Sequence, residues 1–133
     1  RTAAAKRKAA AQSAKRKARA GGSGWRNAPI VTWYGPGFYG NRTACGVRYT
    51  RRIVGVAHRT LPCGTLVEFK WRGITATVPV IDRGPYATKD HVFDFSAATA
   101  CRVFRPKGVG NACFTRHDVK YRVVGRMSLR GYR

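Results

Sequence analysis

The stretch VPVIDRGPY, residues 78–86, puts a carboxylate at the end of an apolar run in a chain where acids are scarce. The 133 residues hold five acids against 27 Lys and Arg, a formal net charge of +22. Val78, Pro79, Val80 and Ile81 read as a strand; Asp82 ends it, and Arg83 with Gly84-Pro85 turns the chain. A carboxylate at a strand end, facing a cleft, is a candidate acid or base when its surroundings tune it. Its alternative role is local, as an acceptor for the amide hydrogens of Arg83 and Gly84.

The sequence on either side has the texture of one mainly β domain. From Trp25 onward, short runs rich in Val, Ile, Thr and aromatics are broken by Gly and Pro. The pattern predicts strands near 30–34, 53–57, 65–71, 74–81 and 119–124. KWRGITATV reads as a hairpin turning at Arg72-Gly73. SAATACRVF, 96–104, is the helix candidate, with Ser96 as N-cap and Pro106 as its stop. Many short strands, little helix and abundant Gly predict a small closed barrel. No internal repeat is visible.

Residues 1–24 differ in character from the rest. They hold eight of the 27 basic residues and no acid, leaving a net +14 for residues 25–133. Residues 1–20 are rich in Ala, Lys and Arg, which favour helix, but no large apolar side chain gives that helix a face to bury. GGSG at 21–24 reads as a hinge. The expected organisation is therefore a basic helix or arm over 1–24 and a barrel domain over 25–133. The arm is either a solvated tail or a segment that docks on an anionic partner or, through residues 1–20, on other protein chains. No signal peptide is visible and the first residue is Arg, so the sequence reads as a processed product or a fragment. No apolar run is long enough to span a membrane. The charge favours polyanions such as acidic wall polymers. Nucleic acid is the least supported of these, because no recognition motif accompanies the charge.

Asp94 in HVFDFS lies between two phenylalanines, just ahead of the helix candidate. It is either a second acid or a charge favouring the helix N-terminus. Asp90 and Asp118 sit among polar residues and read as solvated. Glu68 alternates with apolar neighbours, which predicts an outward-facing strand residue. His58 ends an apolar run as Asp82 does; it is either a hydrogen-bonded structural residue or a partner of Asp82, if their strands are neighbours. Trp33, Tyr34, Phe38 and Tyr39 crowd the loop WYGPGFY, and Tyr86 and Trp71 are further aromatics able to stack on a sugar or to pack the barrel. Cys45, Cys63, Cys101 and Cys113 form no CxxC pair, and His58, His91 and His117 lie at no metal-site spacing. No metal or cofactor is expected. An even cysteine count without metal spacing favours two disulfides and an oxidising compartment; four buried thiols are the alternative.

TWYGPGFYGNRTACGVRY, GVAHRTLPCGTLVEF, VPVIDRGPY and FDFSAATA occur in this order. Together they resemble the double-psi β-barrel domain of rare lipoprotein A-like proteins, relatives of the expansin and barwin barrels, over about residues 30–124. The TACG and LPCGT variants are similar to those of actinobacterial members. The resemblance implies a six-stranded double-psi barrel with one or two short helices. It implies a Cys45–Cys63 bridge, leaving Cys101–Cys113 as the second. Characterised members are lytic transglycosylases, which cleave the MurNAc–GlcNAc bond of peptidoglycan and leave a 1,6-anhydro sugar. The substrate's own C6 hydroxyl is the nucleophile, so one acid/base group can suffice, unlike the paired carboxylates of ordinary glycosidases.

Carried over residue by residue, the resemblance implies catalytic roles for Asp82, Asp94 and His58. The glycan contacts expected beside them are Trp33, Tyr34, Tyr39, Thr43, Arg83 and Tyr86. The family's glutamate, eleven residues before the histidine, falls on Val47, where the pattern breaks. Arg83 beside Asp82 favours the ionised form, which opposes a general-acid role unless burial against Tyr86 or Trp33 offsets it. Asp94 has no adjacent cation and is the rival for that role. The leading expectation is a secreted or cell-envelope barrel that cleaves peptidoglycan, held on an anionic wall by its charge. The alternatives are a non-catalytic, expansin-like glycan-binding or wall-loosening domain, and a wall-penetrating component of a phage tail or other assembly, in which case the location is a virion.

Overall fold

The computed structural model describes residues 24–104, 113 and 116–133, without the side chains of 116–118. Apart from Gly24, the expected basic arm lies outside the described residues, as does Pro106. Six strands form: β1 (Arg26–Tyr34), β2 (Val56–Ala57), β3 (Thr65–Trp71), β4 (Ile74–Asp82), β5 (His91–Ser96) and β6 (Arg116–Arg126). They close in the order β1-β5-β2-β4-β3-β6. The pairs β1/β5 and β2/β4 are parallel, and the other four are antiparallel. This is the closed six-stranded barrel that the resemblance implies. Among the described residues, no helix is long and apolar enough to cross a membrane.

Alternation along the strands builds the interior. Val67 and Phe69 of β3, Val78 and Val80 of β4, and Phe93 and Phe95 of β5 are buried together in one cluster. Phe69 meets Phe93 and Phe95 edge-on, with ring centroids 4.9 Å apart in each case. Truncating such a ring to Ala costs about 3–5 kcal/mol. The opposite faces of β3 and β4 are buried too. Leu66 and Ile81 pack with Val47, Tyr49, Ile53 and Tyr132, contributed by the long loop between β1 and β2 and by the segment after β6. The hairpin of β3 and β4 turns where expected: Arg72 and Gly73 have φ of 45° and 78°, as a type I′ turn requires. Gly64, in LPCGT, is forced by space. Its φ is 86°, and a Cβ there would lie 2.1 Å from the Met127 carbonyl oxygen.

Four expectations need correction. Residues 91–96, read as the approach to a helix, are strand β5. The strand expected at 53–57 contracts to Val56–Ala57, because the amide of Gly55 donates to the Ser96 and Thr99 hydroxyls instead of to a ladder. Glu68 does share the outer face of β3 with Leu66, but it is only 4% exposed. Arg122, its register partner on β6, covers it with an ion pair at 2.9 Å. The helix expected over 96–104 shortens to a π-helical turn, Thr99–Val103, whose N-cap is Ala98 and not Ser96, because Ser96 ends β5; the Ser96 hydroxyl still accepts the Thr99 amide at 3.3 Å. The two disulfides are Cys45–Cys63 and Cys101–Cys113, with Cα atoms 5.6 and 4.2 Å apart.

Candidate active site

Ala57 of the short strand β2 is the register point of the site. It pairs with Asp82 on β4 at one side and with Asp94 on β5 at the other. Two strand spacings put their backbones roughly 10 Å apart. Strand β1 supplies a hydroxyl to each acid. Thr32 and Tyr34 are two residues apart and so share a strand face. Thr32 Oγ1 donates to Asp94 Oδ1 at 2.9 Å, and Tyr34 Oη donates to Asp82 Oδ2 at 3.0 Å.

Asp82 is held by three donors. Besides Tyr34, the amides of Ala44 and Arg83 both donate to Oδ1 at 2.9 Å. The Arg83 amide is the turn contact expected from the sequence. The Ala44 amide comes from the β1–β2 loop, which the neighbouring Cys45–Cys63 bridge ties to the turn before β3. The Arg83 guanidinium turns away from its neighbour. It donates to the carbonyls of Leu61 at 2.7 Å and His58 at 3.3 Å. Tyr86 is 71% exposed, and Trp33 packs against the barrel interior, so neither is the cover over Asp82 that the sequence suggested. Burial, followed by the charge of Asp82, pushes the Tyr34 phenol well above its ordinary value, so it stays protonated and serves Asp82 as a hydrogen-bond donor.

Asp94 is half-buried between Phe93 and Phe95 on the outward side of β5. Burial raises its proton affinity above the ordinary carboxylate range. The Thr32 hydrogen bond and the charge of His91 oppose that rise, and Asp82 adds to it. This is the direction a general acid requires.

Strands β2 and β4 are neighbours, and the His58 amide donates to the Asp82 carbonyl at 3.2 Å. The side chains nonetheless part. His58 Nδ1 accepts the amides of Thr60 and Leu61 at 3.1 and 3.0 Å, and the ring lies against Phe93. Among the described residues, no hydrogen bond or ion pair joins the His58 ring to either acid. Burial, then Arg59 and Arg83, lowers its proton affinity, so the ring is neutral with its hydrogen on Nε2. It lines a separate cavity of about 460 Å³ with Arg26, Tyr121 and Val123.

With this geometry in place, comparison with known proteins is direct. The family profile described as "Lytic transglycolase" matches residues 27–112. The chain belongs to this family. A protein named "Probable endolytic peptidoglycan transglycosylase RlpA" from Synechocystis sp. is 45% identical over 85 residues, covering 62% of this chain and 26% of its own length. A protein of the same name from Aquifex aeolicus is 44% identical over 72 residues, covering 53% and 31%. The chain thus spans about a quarter to a third of the length of these curated relatives. Among solved structures, the Streptomyces papain inhibitor superposes with a TM-score of 0.54 at 23% identity, covering 75% of this chain and 94% of that one, a likeness of fold.

Within the lytic transglycolase frame, the remaining expected contacts divide into scaffold and surface. Thr43 is buried, and its hydroxyl and amide bind the backbone of Val47 across a loop turn. Tyr39 stacks on Tyr49, and the Arg51 guanidinium lies over the Tyr39 ring, 5.1 Å from its centroid. Val47, at the family's glutamate position, is buried with Tyr49 and Ile53, so this chain has an apolar anchor there. Among the described residues, Tyr86 and the half-exposed Phe38 are the aromatics left open to a ligand, and Phe38 is propped edge-on against Tyr34. Sequence reasoning missed Thr32, His91 and the Ala44 amide. The alternation of Thr32 with Tyr34 was a readable signal for the first; the other two depend on register and on a loop held by a disulfide.

Proposed function

We propose that this chain cleaves peptidoglycan glycan strands as a lytic transglycosylase, with Asp94 as the single acid/base. The observation that carries the reading is Asp94 itself. It is a half-buried carboxyl with raised proton affinity, set one strand from an anchored Asp82 in a chain of the lytic transglycolase family. Protonated Asp94 gives its hydrogen to the glycosidic oxygen as the bond from C1 to that oxygen breaks. The C6 hydroxyl of the same sugar attacks C1 and returns its hydrogen to Asp94, leaving a 1,6-anhydro end without water. In this reading, Asp82 faces the positive charge that develops at C1 and, with Tyr34, sets the floor of the groove. Phe38 and Tyr86 stack on sugar rings. His58 shapes the turn after β2 and moves no proton. Two disulfides support action outside the cytoplasm, and the +22 charge supports retention on anionic wall polymers.

Val47 favours a second reading, a barrel that binds glycan without cutting it. Purified peptidoglycan incubated with the oxidised protein separates the two. Release of anhydro-muropeptides by wild type and not by Asp94→Asn supports cleavage. Co-sedimentation with the wall and no released product, from protein with both disulfides intact, establishes binding alone.

A further inference from the structure

One titratable side chain touches the support of the proposed acid. His91 Nε2 lies 2.5 Å from Thr32 Oγ1, the same hydroxyl that donates to Asp94 Oδ1 at 2.9 Å. His91 and Asp94 are three residues apart, so on a regular strand they would point to opposite faces. The register of β5 against β1 slips between them: Ile30 pairs with His91, and Val31 with Phe93. A bulge of this kind re-aims a side chain, and here it brings both residues to one hydroxyl. His91 is also fixed at its backbone. Its amide donates to Thr88 Oγ1 at 3.3 Å, and its carbonyl accepts Arg59 Nη2 at 2.7 Å.

A threonine hydroxyl has one hydrogen to give. With that hydrogen on Asp94, the bond between Thr32 and His91 must be donated by Nε2. We propose that His91 is a positioning residue for Asp94: through Thr32 it keeps Oδ1 an acceptor, so the exchangeable proton of Asp94 resides on Oδ2. Among the described residues no hydrogen bond engages Oδ2, so that oxygen is open to the glycan. In the proposed reaction, on which the catalytic part of this inference rests, Oδ2 gives the proton to the leaving oxygen and takes it back from the C6 hydroxyl. Without His91, the Thr32 hydroxyl is free to rotate and accept a hydrogen from Oδ1, which turns the acid proton away from the groove. Among the described residues, the other charged groups near this chain of contacts are Asp82 across β2 and Arg59 at the His91 carbonyl, while Lys89 and Asp90 precede His91 in sequence.

The test is the titration of the Asp94 carboxyl, followed by carbon NMR in wild type, His91→Ala, Thr32→Val and the double variant, with Asp94→Asn giving the assignment. His91→Ala and Thr32→Val each raise the Asp94 midpoint. The charge of His91 also acts on Asp94 directly, so the contact through Thr32 is read from the coupling: the double variant raises the midpoint by less than the sum of the two single shifts. His91→Gln, whose amide N–H can donate to Thr32 but which carries no charge, brings the midpoint back part of the way from its His91→Ala value. On peptidoglycan, His91→Ala lowers kcat roughly tenfold with KM unchanged, the signature of a misplaced proton. An Asp94 midpoint unmoved by His91→Ala, additive shifts, or a Gln variant that behaves like Ala would each overturn the role of His91. A wild type inactive on peptidoglycan overturns the proposed reaction, while the titration still decides the contact chain by itself.

Discussion

Asp82 and Asp94 both neighbour Ala57, one on each side, yet they have been given opposite surroundings. Asp82 closes a strand where a loop, a turn and a tyrosine converge, and both its oxygens accept hydrogen bonds. Asp94 sits within a strand between buried phenylalanines and meets a single hydroxyl. Adjacent residues mislead here. Arg83 follows Asp82 in sequence but gives its guanidinium to carbonyls of the β2–β3 turn. The barrel, through register and burial, separates an anchored carboxylate from one whose proton affinity burial raises.

The largest effect that would break this comparison is on Asp94. Asp94→Asn should reduce release of anhydro-muropeptides by about 10²–10⁴-fold, the usual contribution of a general acid. The same variant should be more stable than wild type at neutral pH. The folded Asp94 binds its proton more tightly than the unfolded chain does, so its contribution is full below the ordinary carboxylate range and is lost as pH rises through the folded value. Asn has no charge to bury. Thermal unfolding at pH 7 that finds Asp94→Asn less stable would remove the burial argument along with the acid assignment.

The Cys45–Cys63 bridge bears on the other acid. Replacing both cysteines with Ala should lower stability by about 3 kcal/mol, the scale expected for a loop of this size. It should also free the Ala44 amide from Asp82. Denaturant unfolding gives the first quantity and amide exchange at Ala44 the second. An Ala44 amide that remains protected in the variant would show that the loop holds Asp82 without the bridge.

How far these features could be read in advance follows from the kind of information each needs. The hairpin at Arg72-Gly73, the strands at 65–71 and 74–81, and Asp82 at a strand end are local patterns and were legible. Strand β5 was present as alternation in HVFDFS, but the Asp and the following Ser-Ala-Ala run pointed to a helix start. Its two phenylalanines, buried in the barrel interior, decide the matter. Glu68 was read from alternation alone, which cannot register a partner 54 positions away on β6. The pairing of His91 with Thr32 needed a bulge, and the divergence of His58 from Asp82 needed side-chain directions. Neither is encoded in spacing.

Tyr34→Phe sharpens the comparison by removing one of three donors from Asp82 while keeping the ring against Tyr49 and Phe38. The expected loss of stability is about 1 kcal/mol, since the other two donors remain. If Asp82 anchors the groove and moves no proton, kcat should change far less than in Asp94→Asn. A kcat loss equal to that of Asp94→Asn would make the Tyr34–Asp82 pair part of the proton path and dissolve the distinction.

The smallest effect concerns His58, whose sign is opposite to that of Asp94. Burial and two arginines hold the folded ring below its ordinary value of 6.5. Between the folded and ordinary values the unfolded chain binds more protons, so stability is full above about 6.5 and declines as pH falls below it. The physical cause is that protonation at Nδ1 removes the acceptor used by the Thr60 and Leu61 amides. His58→Asn offers a side-chain oxygen to the same amides, in the manner of an Asx turn, and does not titrate. Melting temperatures measured from pH 7.5 downward should therefore fall less steeply in His58→Asn than in wild type, while the Asp94-linked loss at higher pH stays in place. Were both slopes to vanish together, His58 and Asp94 would share one titration, and the separation of the ring from the acids would be wrong.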